Sequence, residues 1–213
     1  MFNAILGTWV TLGLIIGFAM PDAKLLQTTP IAFFHVPMAV SMLLMFVVAA
    51  FYGVRWLQTK NERFDALSLS FAEVGFAGCI IALVTGMVFA RTNWNAYWSW
   101  DPQQVGVLGT LLTYAALFAL RGATDDDIKK RNFWAVYALF GVLVACFGSY
   151  VYRQILPPNT SLHPNSTLTK SDAAFKFALW FNVAGYIMVL TKIALVRAQL
   201  EVAQTRLREL SWR

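Results

Sequence analysis

Two histidines are the residues of this chain best suited to metal chemistry, and the sequence contains no others. His35 stands in the stretch FFHVPMAV and His163 in NTSLHPNST. One ring nitrogen of a neutral imidazole can bind iron, and two imidazoles on opposite sides of a porphyrin give a six-coordinate haem. The competing interpretation is a water-exposed polar residue near a membrane surface. On the residues alone both interpretations stay open.

A dense aromatic segment, WNAYWSWD, occupies residues 94–101 between two long apolar runs. Tryptophan and tyrosine often anchor proteins at lipid headgroups, and the same rings can also support a flat ligand such as a porphyrin. Asp101 followed by Pro102 is in addition a strong helix-start signal, with Asp as the N-cap and Pro at the first helical position. If the segment is helical, Trp100 points away from the face that carries Trp94, Tyr97, Trp98 and Asp101.

The elements that must position these residues are membrane helices. The chain is 58% hydrophobic and only 13% charged, whereas soluble domains are roughly 45–50% apolar. A helix needs about 20 apolar residues to cross a bilayer, and the apolar runs are continuous, without the alternation of membrane strands. We therefore predict an all-α bundle of six transmembrane helices, at Phe2–Met20, Ile31–Tyr52, Ala66–Ala90, Gln103–Leu120, Phe133–Val151 and Phe175–Val196.

The domain organisation follows from these runs. We expect the first run to be a span rather than a cleaved signal peptide, because no Lys or Arg precedes it and Met20-Pro21-Asp22 is a poor cleavage site. Residues 1–196 then form one six-span transmembrane domain. Residues 197–213 form a basic helical tail that extends the last span.

Lysine and arginine are distributed unevenly between the two sides of the predicted bundle. One side carries Arg55, Lys60, Arg63, Arg121, Lys129, Lys130, Arg131, Arg197, Arg206, Arg208 and Arg213. The other side carries only Lys24, Arg91, Arg153 and Lys170. By the positive-inside rule both termini are cytoplasmic, and both histidines share the outer face with WNAYWSWD. The net charge of +6 then reflects membrane topology and gives no reason to expect nucleic-acid binding.

Glu73 is a carboxylate inside the third predicted span, about 10 Å deep at 1.5 Å per residue. An unpaired carboxylate at that depth is costly, so intramembrane acids are candidates for function. We expect either a neutral, hydrogen-bonded acid that faces a neighbouring helix or a group that acts in ligand entry or proton handling.

Several stretches together resemble one protein family. The run from AEVGFAGCIIALVTG through WNAYWSWD is similar to the tryptophan-rich WWD segment of the cytochrome c assembly proteins that handle haem. FFHVPMAV and NTSLHPNST resemble the histidine-bearing segments of that family, in the same order along most of the chain. The resemblance is closest to the CcmC branch of the bacterial Ccm (System I) pathway. The larger CcsA and CcmF synthetases of the family have more spans and a second histidine pair, which this sequence lacks.

The resemblance implies a haem-handling factor of cytochrome c biogenesis rather than a classical enzyme. It implies non-covalent haem b at the periplasmic face of the bacterial inner membrane, with His35 and His163 as the axial iron ligands. Its partners would be the periplasmic haem chaperone CcmE and the membrane subunits CcmA, CcmB and CcmD. The haem-contacting residues would be Trp94, Tyr97, Trp98, Trp100 and Asp101, with Arg153 either at a haem propionate or capping a helix end.

The chain departs from the family pattern at several positions of these segments. Asn95 replaces a usual glycine, Tyr97 replaces a tryptophan, Pro-Gln-Gln follows Asp101, and Ser161 is an additional residue before His163. These changes lie where partner contacts are expected.

Two other functions are compatible with such a sequence. A bis-histidine electron-transfer cytochrome would place its ligands on helices deep in the bundle, whereas His163 stands in a proline-flanked loop. A permease for haem or another small molecule would have discontinuous spans and polar groups near the midplane, for which Glu73 is the main candidate. Haem handling accounts best for the shared face of the histidines and the aromatic segment.

Overall fold

The computed structural model describes residues 2–19, 29–157, 160–163 and 172–211. Seven α-helices are present in these ranges, together with a π-helical turn, Phe147–Val151, that joins α5 to α6. No strand occurs among the described residues, so the prediction of an all-α fold is confirmed. The helices are α1 (Phe2–Ala19), α2 (Thr29–Thr59), α3 (Glu62–Trp94), α4 (Pro102–Gly122), α5 (Asp127–Cys146), α6 (Tyr152–Ile155) and α7 (Ala173–Ser211).

Five helical segments are long and apolar enough to cross a bilayer, namely α2, α3, α4, α5 with the π-turn, and α7. The sixth predicted span corresponds to α1, which is apolar but only 18 residues long. At 1.5 Å per residue it rises about 27 Å, slightly less than the roughly 30 Å of hydrocarbon. Met20, the last residue of that predicted span, lies outside the described residues.

Helices α2, α3, α4, α5 and α7 extend beyond the apolar runs from which they were predicted. The third predicted span, Ala66–Ala90, lies within α3, which begins after the N-cap Asn61. The helix ends at Trp94, before the C-cap Asn95 with its left-handed backbone. Asp101 and Asp126 cap α4 and α5 in the same way as Asn61 caps α3, each accepting a backbone N–H. Polar N-caps therefore set where these helices start, at positions outside the apolar runs.

The centre of the bundle is formed by α2, which shares its largest interface with α3 and also packs against α5 and α7. Phe46 of α2 is fully buried and stacks on Tyr114 of α4 with ring centroids 3.8 Å apart. On the outside, α1 is attached to α7: Trp9 stacks on Phe181, and its indole N–H donates to the Phe181 carbonyl at 3.0 Å.

Helix α4 crosses the π-turn at two glycines. A methyl group placed on Gly148 would lie 2.8 Å from the carbonyl oxygen of Gly106, and one on Gly106 would collide with the Gly148 backbone. Only residues without a Cβ allow the two backbones to approach so closely. The crossing places the first turns of α4 directly beside the π-turn.

Ion pairs gather at the bundle end opposite to the aromatic segment. Asp65 at the start of α3 accepts two hydrogen bonds from Arg121, at 2.9 and 2.7 Å, and Arg131 pairs with Glu62. These cations belong to the side that the sequence predicts to be cytoplasmic. The orientation of the bundle across the membrane stays a prediction.

Candidate functional site

A cavity of about 470 Å³ opens at the end of the bundle where α3 meets α4. Its size falls within the range of small-molecule binding sites, about 300–1,000 Å³. The wall formed by α2 and α3 is mostly apolar, with Val36, Val40, Leu43, Leu83 and Met87 among its side chains. Both histidines and Trp94 line the same cavity, so the structure brings these three predicted site residues together.

His35 is held by α3. Its Nδ1 atom lies 3.1 Å from the Ala82 carbonyl oxygen and 3.2 Å from Oγ1 of Thr85. Because a carbonyl oxygen can only accept, the hydrogen-bond pattern assigns the proton of a neutral His35 to Nδ1. Nε2 then carries the free lone pair. Metal-binding histidines show this arrangement, with the second ring nitrogen donating to a protein acceptor.

Gly86 provides the space for the His35 ring. A Cβ at this position would lie 2.9 Å from the His35 Cε1 atom, closer than a normal carbon–carbon contact. Thr85 and Gly86 end the LVTG stretch of the sequence, so the structure gives this stretch a physical role. It supplies both the hydrogen-bonding hydroxyl and the bare backbone against which His35 lies.

His163 is held by Asp101. Its Nδ1 lies 2.9 Å from Asp101 Oδ1, which also accepts the backbone N–H of Gln103 at 2.9 Å. The other oxygen, Oδ2, accepts the backbone N–H of Leu162 at 2.6 Å and the Ser161 hydroxyl at 2.9 Å. One buried carboxylate therefore caps α4, as the Asp-Pro pair predicts, and also holds segment 161–163.

The electrostatics of Asp101 follow from these contacts. Burial on its own raises the pKa of the carboxyl group. The hydrogen bond and charge of His163, together with the backbone N–H groups of Gln103 and Leu162, outweigh burial and hold the pKa of Asp101 well below its usual range. The group is an anion at neutral pH and can orient the His163 ring.

Aromatic rings connect the two histidines along one side of the cavity. The His35 ring is stacked against Phe89 with centroids 6.4 Å apart, and Phe89 meets Trp94 edge to face at 5.9 Å. Trp94 in turn contacts His163 edge to face at 4.8 Å. Phe89 was not a predicted site residue, although it lies between the LVTG stretch and the aromatic segment.

The remainder of the aromatic segment lies outside the cavity. Helix α3 ends at Trp94, and residues 95–101 are not helical, so the predicted helical face is not formed. Tyr97 is 55% exposed and Trp100 is 74% exposed. Trp98 and Trp100 contact each other edge to face at 5.6 Å, and neither they nor Tyr97 line the cavity.

The aromatic segment is nevertheless fixed to α4 by a buried glutamine. Gln104 Oε1 accepts the backbone N–H of Ser99 at 3.0 Å, and its amide group donates to the Tyr97 carbonyl at 3.2 Å. Trp100 has a left-handed backbone with φ of 58°. Gln104 follows the Asp-Pro pair in the sequence but has no feature there that indicates this role.

The structure does not place Arg153 or Glu73, two further candidate residues, at the cavity. The side chain of Arg153 lies outside the described residues, and its backbone belongs to α6. Glu73 does not line the cavity and instead pairs with Arg197 of α7, with Oε2 and Nε 2.9 Å apart. Its partner is thus a cation on a neighbouring helix.

Comparison with known proteins decides the family. The family model for CcmC, described as heme exporter protein C, matches residues 1–213. The chain belongs to the CcmC family. The resemblance found in the sequence is thereby confirmed, and the five span-length helices agree with a multi-pass membrane protein.

Two heme exporter proteins C share moderate identity with this chain over most of their length, and a CcsA protein matches a shorter stretch. Heme exporter protein C of Paracoccus denitrificans (strain Pd 1222) is 28% identical over 201 residues, covering 92% of this chain and 82% of the relative. The protein of the same name from Escherichia coli (strain K12) is 28% identical over 186 residues, covering 85% and 73%. A cytochrome c biogenesis protein CcsA from Synechococcus sp. (strain CC9605) is 34% identical over 90 residues, which is 42% of this chain and 30% of that protein.

Proposed function

We propose that this member of the CcmC family binds haem b in the cavity between α2, α3 and α4 and passes it to a periplasmic haem chaperone. The observation that carries the proposal is that both histidines of the chain line this cavity, each with Nδ1 engaged by a protein acceptor. Each Nε2 is then available as an axial iron ligand. Family membership supports the role in cytochrome c biogenesis.

The donor set and the walls fit a porphyrin. Haem supplies an iron that accepts two neutral imidazoles, and the chain offers two and no other histidine. The apolar wall of α2 and α3 suits the ring, whose burial contributes about 25 cal/mol per Å² of apolar area. No lysine or arginine lines the cavity among the described residues, so the site favours a mostly apolar ligand.

The two histidines are held in different ways, which suits temporary binding. His35 belongs to α2 and lies against α3 backbone, so its position is set by helix packing. His163 lies outside any helix and depends on hydrogen bonds to Asp101. Breaking those few bonds would remove one axial ligand while the other stays in place. Haem could then leave on the His163 side.

The exposed rings of Tyr97 and Trp100, together with the partly buried Trp98, form the outer part of the proposed haem path. They extend aromatic surface beyond Trp94, where a porphyrin edge or the incoming chaperone would meet them. The chaperone expected from the family resemblance is CcmE, and the expected membrane partners are CcmA, CcmB and CcmD. The excess of lysine and arginine at the opposite end supports, by the positive-inside rule, a position of this end at the periplasmic face of the bacterial inner membrane.

The competing functions have less support. An electron-transfer cytochrome needs two firmly held ligands, whereas His163 lies outside the helices. A permease would use a polar group within its transport path, but Glu73 pairs with Arg197 and lies off the cavity.

The test is the absorption spectrum of the purified full-length protein with added haem. We expect the six-coordinate, low-spin spectrum of bis-histidine haem. His35→Ala and His163→Ala should each give a five-coordinate spectrum, and added imidazole should restore the six-coordinate form. A wild type that binds no haem, or a double variant that keeps the bis-histidine spectrum, would refute the proposal.

A further inference from the structure

Ser149 is a buried serine with an unsatisfied hydroxyl in the wall of the cavity. The residue is 9% exposed, and its Oγ has no hydrogen-bond partner among the described residues. Buried polar groups in folded proteins are nearly always hydrogen-bonded. Since the residue lines the cavity, a bound ligand is the natural partner of this hydroxyl.

The local backbone directs Ser149 towards the cavity. Ser149 is the middle residue of the π-turn Phe147–Val151. Single π-helical turns shift the residues that follow around the helix axis and are frequent at functional sites. The contact between Gly148 and Gly106 fixes the turn against α4, so the position of Ser149 is set by two helices.

Ser149 lies on the α4 side of the cavity. Gly106, which contacts its neighbour Gly148, is four residues after the start of α4, about 6 Å along the helix. On the opposite wall, Met42 is seven residues beyond His35, about 10 Å deeper. A ligand in this cavity therefore meets an apolar wall on α2 and a hydroxyl on the α4 side.

We infer that the Ser149 hydroxyl donates a hydrogen bond to a propionate carboxylate of the bound haem and so fixes the orientation of the porphyrin in the cavity. The inference rests on the proposed haem function. Apart from its propionates, the periphery of haem b carries only methyl and vinyl groups and methine carbons, none of which accepts a normal hydrogen bond. The described lining contains no lysine or arginine, so neutral polar groups take the place of the more usual cation: the Ser149 hydroxyl, with Asn93 and Gln103 also in the lining.

The experiment compares haem with its dimethyl ester, in which both carboxylates are neutral esters. Each compound is titrated into full-length protein in lipid nanodiscs, for the wild type, Ser149→Ala and a control, Ser41→Ala. Ser41 is fully buried and also lacks a hydrogen-bond partner among the described residues, but it does not line the cavity. It therefore controls for loss of a buried hydroxyl alone.

We expect Ser149→Ala to weaken haem binding about tenfold, as for other hydrogen bonds to a charged group. Binding of the dimethyl ester should change less than about threefold, and Ser41→Ala should affect neither compound. The bis-histidine spectrum should persist in Ser149→Ala, because the iron ligands are untouched. If the alanine variant is too unstable to purify, Ser149→Cys keeps the side-chain size with a weak donor and should show the same selective loss.

The inference is overturned if the Ser149 variants bind haem as tightly as the wild type, or if they lose haem and the dimethyl ester equally. A wild type that binds neither compound would instead refute the proposed haem function. The two failures are therefore distinguishable.

Discussion

The Nδ1 atom of His163 and the Oδ1 atom of Asp101 are 2.9 Å apart, and the same carboxylate is the N-cap of α4. Two residues that are far apart in sequence are therefore joined at the point where a membrane helix begins. The contact links the position of α4 to the tautomer of the imidazole, since a carboxylate anion can only accept the Nδ1 proton. Displacement of either residue should disturb the other.

The first prediction concerns Asp101→Asn. The amide can still cap α4 through its oxygen, but its NH₂ group cannot accept the N–H of Leu162 or the Ser161 hydroxyl. We expect a folded protein in which part of the bound haem becomes five-coordinate and is restored by imidazole. Substitution of a group that hydrogen-bonds to a metal-binding histidine typically lowers metal-site affinity about 10–100-fold.

A second N-cap provides the control for this variant. Asp126 caps α5 by accepting the Lys129 N–H and lies at the opposite end of the bundle. Asp126→Asn should leave the haem spectrum unchanged. If both variants behave alike, Asp101 acts on helix stability only.

The second prediction concerns acid. The pKa of Asp101 is lowered in the folded chain, so its stabilising contribution is complete above the unfolded value, about 4. That contribution is lost as the pH falls below about 4, towards the folded pKa. We expect the wild type to remain more stable to heat than Asp101→Asn from pH 7 to about pH 5, and this difference to narrow in stronger acid. A difference that disappears already between pH 7 and 6 would contradict the assignment.

The third prediction concerns Gly86→Ala. The added methyl group would lie 2.9 Å from His35 Cε1, so the ring must move from its hydrogen bond with Ala82. Overpacking of this kind costs about 1–3 kcal/mol, and we expect a corresponding loss of the His35–iron bond in the absorption spectrum. Gly109→Ala is the control, because a methyl group there meets no atom within 4 Å. Equal spectra for the two variants would show that Gly86 does not determine the position of the His35 ring.

The fourth prediction separates the tryptophans. Trp94 lines the cavity and contacts His163, whereas Trp98 lies outside it. Trp94→Ala should therefore speed the loss of haem to an excess of a soluble haem-binding protein, and Trp98→Ala should change this rate much less. Comparable acceleration by both substitutions would place the porphyrin farther out, on the exposed rings.

The helices of this protein could be predicted from sequence because a span needs a long apolar run, and such runs are visible in composition alone. The start of α4 could also be predicted, from the Asp101-Pro102 pair, but the start of α3 could not, since it lies at the polar cap Asn61 outside the apolar run. The shared outer position of His35 and His163 followed from the charge distribution, and the structure brings both to one cavity. Their binding of iron stays a prediction.

Other parts of the site depend on features that periodicity does not encode. The aromatic segment leaves the helix at Asn95, which has a left-handed backbone conformation that the hydrophobic pattern does not indicate. Ser149 resembles any small residue in an apolar span, because a π-turn leaves no clear pattern in the sequence. Gly86 did carry a signal, as the last residue of LVTG, but its contact with His35 depends on how α2 packs against α3.

The fifth prediction concerns the crossing of α4 with the π-turn. In Gly106→Ala the new methyl group would collide with the Gly148 backbone, which cannot rotate away as a side chain can. To remove this collision α4 and the π-turn must separate, which costs at least the 1–3 kcal/mol typical of overpacking. The separation also moves Ser149 away from the cavity. We expect a clear drop in thermal stability and weaker haem binding, relative to Gly109→Ala on the same helix. A variant as stable as that control would show that the close approach of α4 to the π-turn is not required by the fold.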